Sequence, residues 1–358
     1  MFARISASRS PVTQISAFAG GPDNTTILSS CQGTLLSMFS TTAVLPLRVT
    51  CREANIAVKQ HPWSDKKTII KGNLLLWRTC FPNAQAANVS SIDKRNPRRV
   101  PIRDADFVHL QGIQNLNMAG CEAVTDTAFV HLRYVIELHV DGCILITDAA
   151  FVHLQHIKIL TATATSITDA AFVHLRGIQY LDVTSNESVN DPGFVHLRGI
   201  KELYIGGCTN VTDAALVHLH GIQTLDISQC SITDAAFAHL QGIQSLNISQ
   251  CSITDAALVH LVGIKSLTML FCRRVTDAGF AYLGGIQTLD MRHCNQSTIT
   301  DAAFQHLRGI QVLNMNDCDQ RHFTPAMLAH LRGIRTLTMF GCKYPLVEEA
   351  RRLRLMIK

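Results

Sequence analysis

One short phrase, Ile-Thr-Asp-Ala-Ala-Phe-Val-His-Leu-Arg-Gly-Ile-Gln, starts at Ile167 and returns with small changes along most of this 358-residue chain. Eleven copies can be aligned, with a period of 21 to 24 residues. A fixed period of this length is typical of a solenoid, in which one copy forms one layer and neighbouring layers share a core. The copies begin at Ile102, Val124, Ile146, Ile167, Val189, Val211, Ile232, Ile253, Val275, Ile299 and Phe323.

The first half of each copy has the periodicity of a short helix. Phe172, Leu175 and Ile178 recur every three residues, which predicts one apolar helix face. Thr168 or Asp169 can cap the first turn, because both side chains accept hydrogen bonds from free backbone N–H groups there. We therefore expect the phrase to begin a short helix in every copy.

The second half of each copy has the periodicity of a strand. It reads Ile-x-x-Leu-x-Ile-x-x-Cys at Ile222–Cys230, and alternation predicts that Leu225 and Ile227 point inward. Stacked strands lie about 4.8 Å apart, whereas packed helices need about 8–10 Å. The expected fold is therefore an α/β solenoid that curves, with a parallel inner sheet and outer short helices.

The order of these residues also resembles a known family. Leu-x-Ile-x-x-Cys followed by Ile-Thr-Asp-x-x-Phe is similar to the cysteine-containing subfamily of leucine-rich repeats. The resemblance covers residues 102–344, as eleven leucine-rich repeats. It implies the same solenoid and a concave sheet that binds another protein.

Nine of the twelve cysteines share one position of the repeat. This pattern has two interpretations. The cysteines could form a ladder of metal sites or disulfides, or they could be buried thiols that bond backbone carbonyls. Thr165 and Asn186 stand at this position in two copies, and neither can replace a thiolate or half a disulfide. We therefore predict buried, reduced thiols, which favour the cytoplasm, with the nucleus as an alternative. The nine are Cys121, Cys143, Cys208, Cys230, Cys251, Cys272, Cys294, Cys318 and Cys342.

Ten of the sixteen histidines also share one position, beside the apolar helix face rather than on it. Two zinc ligands must approach within roughly 4 Å, which is difficult between helices 8–10 Å apart. We interpret these residues as an outer-surface series without a metal. They are His109, His131, His153, His174, His196, His218, His239, His260, His306 and His330.

The sequence contains no arrangement typical of an enzyme. It has no glycine-rich phosphate loop and no Gly-x-Ser-x-Gly elbow, and the recurring aspartates are explained by helix capping. We predict no catalysis, no cofactor, no metal and no small-molecule substrate. No apolar run reaches membrane-spanning length, and the net charge of +5 is mild, so neither a membrane nor a nucleic-acid partner is expected.

Function in such an array should lie where the copies differ, on the outward strand positions. Acidic residues and two tyrosines occupy these positions in copies two to six, and apolar residues flank an arginine in copies eight to eleven. This composition disfavours phosphate contacts and favours a basic or mixed protein segment. The predicted target-binding residues are Glu137, His139, Asp141, Tyr180, Asp182, Glu202, Tyr204, Asp226, Leu270, Arg292 and Phe340.

The sequence before the repeats does not follow the repeat pattern. Residues 27–66 suggest short helices, and Leu-Pro-Leu-Arg-Val-Thr-Cys-Arg with a later Trp63 resembles an F-box. Two features depart from the family pattern. Thr50 separates Val49 from Cys51, and the Leu-Pro pair with which the family pattern opens is missing. The resemblance implies a small all-α module that binds a Skp-family adaptor. The implied adaptor-binding residues are Leu35, Leu36, Phe39, Leu45, Leu47 and Val49.

Three other segments complete the organisation. Residues 1–26 are interpreted as a disordered tail, with a transit peptide as the alternative. Residues 67–101 are a linker and N-terminal cap, in which Leu74–Ser91 supplies a covering strand. Their basic stretch Asp93–Arg103 reads as a solvated loop or a nuclear-import signal. Residues 345–358 read as a C-terminal cap, a half-repeat in which Leu353 and Leu355 belong to a strand.

An F-box-like module before leucine-rich repeats is the architecture of substrate receptors in cullin-type ubiquitin ligases. The resemblance therefore implies a non-enzymatic receptor that binds a Skp-family adaptor and a target protein. The alternative is an interaction scaffold with no link to a ligase. In either case we expect a monomer outside its complexes.

Overall fold

The computed structural model describes residue 41 and residues 52–70, 73–91, 101–318, 323–342 and 344–353. The described residues divide into two compact units. The first comprises residues up to Leu145 together with His153–Ile157, and the second comprises Ile146–Val152 and the chain from Lys158 onward. The division falls within the copy that begins at Ile146.

In the ranges 52–70, 73–91 and 101–145, the first unit contains two α-helices and three parallel strands. The helices are α1 (Arg52–Gln60) and α2 (Leu74–Cys80). The strands are β1 (Ala86–Asn88), β2 (Asn115–Asn117) and β3 (Glu137–His139). Strand β2 lies between the other two, with Leu116 opposite Ala87 on one side and Leu138 on the other. Short 3-10 helices precede β2 and β3, at Asp104–Leu110 and Asp126–His131.

The N-terminal cap of this unit is a helix followed by a strand. Strand β1 covers the open edge of β2, as predicted for this segment. The first part of the segment, Leu74–Cys80, is a helix that the sequence did not predict. Asn73 caps this helix by accepting the N–H of Leu76 at 3.3 Å, and Leu74 and Trp77 are buried on the same side. The strand begins only at Ala86, after the turn at Phe81.

The second unit contains nine short parallel strands in chain order. Each strand has three residues, and the register places the central leucines directly opposite each other, as in Leu181, Leu203 and Leu225. The strands are β4 (Ile159–Thr161), β5 (Tyr180–Asp182), β6 (Glu202–Tyr204), β7 (Thr224–Asp226), β8 (Ser245–Asn247), β9 (Ser266–Thr268), β10 (Thr288–Asp290), β11 (Val312–Asn314) and β12 (Thr336–Thr338).

Helical segments of one or two turns precede these strands. Most are 3-10 helices rather than α-helices, which suits a segment of only three to seven residues. They are Asp148–His153, which spans the division between the units, Asp169–His174, Asp191–Leu197, Asp213–Leu216, Asp234–Leu240, Asp255–Leu258, Val259–Leu261, Asp277–Phe280, Ala281–Leu283, Asp301–Phe304, Gln305–Leu307 and Pro325–Leu331.

The core of the second unit is a stack of equivalent apolar side chains. Phe172, Leu175 and Ile178 are buried as predicted, and so are Leu225 and Ile227. Aromatic rings of neighbouring copies touch edge to face, as for Phe172 and Phe194 at 5.7 Å between centroids. Each layer therefore buries its apolar side chains against the neighbouring layers, which is the packing expected of a solenoid.

Threonine and aspartate have different roles at the start of each short helix. Thr168 caps its own helix by accepting the N–H of Ala170 at 3.1 Å. The aspartates do not act as caps, contrary to the expectation from sequence. Asp148 instead accepts the N–H and the hydroxyl of Thr168, one copy further on, both at 2.7 Å.

This contact between copies recurs along the unit. Asp255 accepts the N–H of Thr276 at 2.8 Å and its hydroxyl at 2.6 Å, and the same two bonds join Asp277 to Thr300. Charge-assisted hydrogen bonds are among the stronger ones in proteins. The recurring Thr-Asp pair therefore ties successive layers together as well as starting each helix.

The described part of the C-terminal cap is helical. Tyr344–Arg352 forms the helix α3; of the two residues predicted to lie on a strand, Leu353 follows this helix and is exposed, and Leu355 lies outside the described residues. Leu346 and Ala350, four residues apart, are buried on the same face. Basic residues in its last turn, Arg351 and Arg352, suit the negative end of the helix dipole. An amphipathic helix thus covers the last apolar layer.

Candidate functional site

One side of the strands in the second unit is available to a partner. Each strand buries its central residue and leaves its first and third residues half-buried on the opposite side. We call the surface formed by these first and third residues the sheet face. Its first row is Ile159, Tyr180, Glu202, Thr224, Ser245, Ser266, Thr288, Val312 and Thr336, and its second row is Thr161, Asp182, Tyr204, Asp226, Asn247, Thr268, Asp290, Asn314 and Thr338.

The sheet face has an aromatic pair at β5 and β6. The rings of Tyr180 and Tyr204 lie 5.3 Å apart between centroids, tilted by 39°. The register places Tyr204 between Asp182 of β5 and Asp226 of β7, and places Glu202 opposite Tyr180. Five of the predicted target-binding residues therefore come together on three adjacent strands.

The two aspartates that flank Tyr204 are held in the same way. Asp182 Oδ1 accepts the N–H of Thr184 at 3.0 Å and its hydroxyl at 2.6 Å. Asp226 Oδ1 accepts the N–H of Ser228 at 2.9 Å, and its Oδ2 accepts the amide of Asn247 at 2.8 Å. Both carboxylates are therefore fixed by neighbouring groups before any ligand arrives.

No cation of the protein neutralises this group within the described part of the chain. Asp182, Glu202 and Asp226 form no ion pair there. The pKa of Tyr204 is raised by its partial burial, and further by the negative charges of Glu202, Asp182 and Asp226. The site is thus strongly anionic and aromatic, a combination that attracts the ammonium or guanidinium group of a partner.

The acidic residue on β10 is different because it has an internal partner. Arg292 donates to Asp290 through Nε at 3.0 Å, and a second guanidinium nitrogen lies 3.0 Å from Asp290 Oδ2. This pair neutralises itself. The predicted residue Arg292 is therefore engaged by its own strand and contributes little free charge to the sheet face.

Three predicted residues of the second unit lie beyond the ends of their strands. Leu270, Arg292 and Phe340 each come two residues after the last strand residue, in the following turn. Leu270 is half-buried, whereas 78% of Phe340 is exposed. They do not belong to either row of the sheet face.

The turns also contain an aromatic contact that the sequence analysis missed. The rings of Phe271 and His293 stack with centroids 4.5 Å apart and 7° between planes. Both residues have positive φ angles, 57° and 58°, at a position where Gly207 and Gly341 stand in other copies. A bulky residue in this conformation is unusual. The sequence signal that could have indicated this contact is the alignment of Phe271 and His293 with those glycines.

The remaining predicted residues belong to the first unit. Glu137 and His139 are the first and third residues of β3, and Asp141 follows in the turn. Burial alone would raise the pKa of Glu137, but hydrogen bonds and charges from Lys66 and His139 outweigh it and lower the pKa. Unlike the carboxylates on β5–β7, Glu137 is thus paired within the protein.

The repeated cysteines are buried thiols that bond the preceding copy. Cys230 Sγ donates to the carbonyl of Ile205 at 3.2 Å, and Cys251 Sγ to that of Ile227 at 3.1 Å. Burial raises the pKa of Cys143, Cys208 and Cys251 to about 11. These thiols stay protonated at neutral pH, and all ten described cysteines are free.

Thr165 and Asn186, which replace cysteine in two copies, adapt differently to the turn. Thr165 donates its hydroxyl to the carbonyl of Ala162 at 2.8 Å. Asn186 accepts the N–H of Ser188 at 3.3 Å, while its buried amide nitrogen has no partner among the described residues. The position therefore holds a small polar group in every copy: the cysteines bond a carbonyl of the preceding copy, whereas Thr165 and Asn186 bond within their own turn.

The histidine series lies beside the buried helix face, where the ring positions are half-buried or exposed. His239 of this series contacts His220, which lies outside the series, edge to face with 5.1 Å between the ring centroids. Within the described ranges, no group of three or more His, Cys, Asp or Glu side chains is arranged to hold a metal ion. The same part of the chain has no helix of a length and hydropathy that would cross a membrane.

The predicted adaptor-binding residues Leu35, Leu36, Phe39, Leu45, Leu47 and Val49 lie outside the described residues. Next to them, α1 and Trp63 are described. Trp63 is buried, its indole donates to the carbonyl of Val58 at 2.8 Å, and it touches Phe81 edge to face. The end of the F-box-like segment is therefore packed against the N-terminal cap.

Comparison with known proteins identifies the fold but no close relative. No protein-family model matches the sequence, and no curated protein matches it. The crystal structure of a TLR13–ssRNA13 complex is similar with a TM-score of 0.53 at 15% identity, covering 81% of this chain and 47% of that chain.

A mouse RP105/MD-1 complex is similar with a TM-score of 0.55 at 13% identity, covering 80% of this chain and 61% of that chain. The chain thus spans less than two thirds of either neighbour. The likeness shows the fold alone, and that fold is the leucine-rich-repeat solenoid.

Proposed function

We propose that the protein is a non-catalytic recognition protein that binds another protein on the sheet face of its second unit. The anionic, aromatic group on β5–β7 carries this proposal, because Asp182, Glu202 and Asp226 have no cationic partner among the described residues, while Glu137 and Asp290 do. A surface that leaves fixed charge uncompensated beside two tyrosines is suited to an interface. The free thiols favour a reducing compartment such as the cytoplasm.

A protein partner fits this surface better than a nucleic acid does. One structural neighbour is in complex with ssRNA and another with the protein MD-1. Binding to RNA relies on cations that contact phosphates, and the sheet face over β5–β7 presents carboxylates instead. A basic segment of another protein is the complementary ligand.

A crosslinking experiment tests this proposal. A photoreactive amino acid at Thr224, on the sheet face next to Glu202, is expected to crosslink to a partner in extracts of the source cells. The same amino acid at Val217, an exposed position directly after the short helix Asp213–Leu216, serves as the control. If Val217 yields the same products in the same amounts, or if Thr224 yields none, the sheet face is not the binding surface.

The second candidate function is narrower: substrate receptor of a cullin-type ubiquitin ligase. The resemblance of residues 27–66 to an F-box supports it, as does Trp63, which is buried after α1 where the resemblance requires an apolar anchor. In this function the chain would catalyse nothing. It would raise the effective concentration of its target near a conjugating enzyme.

Capture of a purified Skp-family adaptor by the full chain tests the second candidate. We expect the wild type to capture the adaptor and Leu45→Asp with Leu47→Asp to lose at least about tenfold in affinity, because charges would enter an apolar contact. Asp182→Lys, which lies far along the chain, should bind as the wild type does. Failure of the wild type to bind would reject the ligase link without touching the sheet-face proposal.

A further inference from the structure

We infer that the sheet face over β5–β7 recognises two cationic side chains about 10 Å apart in one extended segment of the partner, one at Asp182 and one at Asp226. The inference rests on the proposed function and specifies the chemistry of the ligand. The two residues between the cationic side chains lie over the ring of Tyr204.

The spacing follows from the register of the strands. Asp182, Tyr204 and Asp226 are directly opposite one another on β5, β6 and β7. Strands are separated by about 4.8 Å, so the two aspartates are separated by about 9.6 Å. A segment in the extended polyproline II conformation has three residues per turn and advances about 3.1 Å per residue, so residues i and i+3 lie on one side of it about 9.3 Å apart. The matching motif is Arg-x-x-Arg, or the same spacing of lysines.

Both carboxylates retain acceptor capacity in fixed positions. Asp182 Oδ2 accepts no hydrogen bond from the described residues, because Thr184 binds only Oδ1. The Oδ1 and Oδ2 atoms of Asp226 each accept one bond, and a carboxylate oxygen can accept two. A guanidinium or ammonium group can therefore bind either aspartate without disturbing the turn that orients it.

Tyrosine at the centre of the row favours the same ligand. The Tyr204 ring contacts that of Tyr180 at 5.3 Å between centroids, and partial burial together with the surrounding carboxylates raises the pKa of its hydroxyl, so the phenol stays protonated. The aliphatic stem of an arginine or lysine can lie on such a ring.

The chain itself supplies well-matched variants. Asn247 and Asn314 occupy the second-row position in other copies and accept the same N–H two residues on, at 3.0 and 3.3 Å. Asp182→Asn and Asp226→Asn should therefore remove charge and keep the turn. Asp290→Asn is the control, because Asp290 has the same position but is already neutralised by Arg292.

The probes are end-blocked twelve-residue Gly/Ser peptides with two arginines separated by zero to five residues, titrated against the full chain by fluorescence anisotropy. We expect the peptide with two intervening residues to bind about tenfold more tightly than the adjacent pair at low salt. Asp182→Asn and Asp226→Asn should each abolish this preference, and Asp290→Asn should retain it.

Equal affinity across all spacings would overturn the inference, and so would a preference that survives Asp182→Asn. A matched experiment keeps this outcome separate from the proposed function. If Thr224 crosslinks a partner while the peptides show no dependence on spacing, the two-cation inference is wrong and the sheet face remains the interface. If Thr224 crosslinks nothing and no peptide binds, both are wrong.

Discussion

Phe172→Ala is expected to lower the free energy of unfolding by about 3–5 kcal/mol, the largest stability effect of any substitution considered. Phe172 is 0% exposed, and its ring packs edge to face on Phe194 of the next copy. In a stack of layers each such ring belongs to two interfaces, so its loss leaves a cavity that neither layer can close. Guanidinium denaturation followed by circular dichroism measures the change.

Val173→Ala is the matched control, because the neighbouring side chain is 41% exposed and contributes little to the core. Its effect should stay within about 0.5 kcal/mol. A loss below about 1 kcal/mol for Phe172→Ala would contradict a core shared between layers. It would indicate instead that each copy is stabilised mainly by contacts within itself.

The layer structure could be predicted from the sequence because every copy solves the same packing problem. Phe172, Leu175 and Ile178 have one periodicity and Leu225 and Ile227 another, and burial alone decides where such residues lie. The buried thiols followed from the two exceptions, Thr165 and Asn186. Because the phrase is repeated, the copies within one chain could be compared with each other, which a single copy would not allow.

The contact between Asp148 and Thr168 could not be obtained from one copy. Within a copy, Thr168 and Asp169 are both good helix-capping residues, and local chemistry does not distinguish them. Only the stacked arrangement brings a carboxylate to the threonine of the next layer. The C-terminal helix was not predicted either, although Leu346 and Ala350, four residues apart, are buried on one face of it.

The candidate site was predicted in composition but not in geometry. Tyr180, Asp182, Glu202, Tyr204 and Asp226 were identified as outward residues, but their neighbours across strands depend on the register. The sequence also could not show which charges are neutralised internally. Arg292 looked available and is bound to Asp290, and Leu270 and Phe340 lie in turns beyond the strands.

The uncompensated charge on β5–β7 makes charge reversal the most informative change to the site. Asp182, Glu202 and Asp226 sit on three adjacent strands around Tyr204, so lysines at the three positions would place repulsion where a basic partner binds. Like charges across an interface cost more than the loss of an attractive contact. The three side chains are half-buried at most, so their replacement should leave the leucine layer beneath them intact.

We therefore expect the triple variant Asp182→Lys, Glu202→Lys and Asp226→Lys to bind the partner crosslinked through Thr224 at least about 100-fold more weakly, a loss of about 2.7 kcal/mol. Titration calorimetry with the purified partner measures the affinity, and circular dichroism verifies the fold. Glu122→Lys, Glu187→Lys and Glu348→Lys, at three exposed acidic positions outside the sheet face, together make the same change in net charge and serve as the control. Unchanged affinity in the folded triple variant, or an equal loss in the control, would place the binding surface elsewhere.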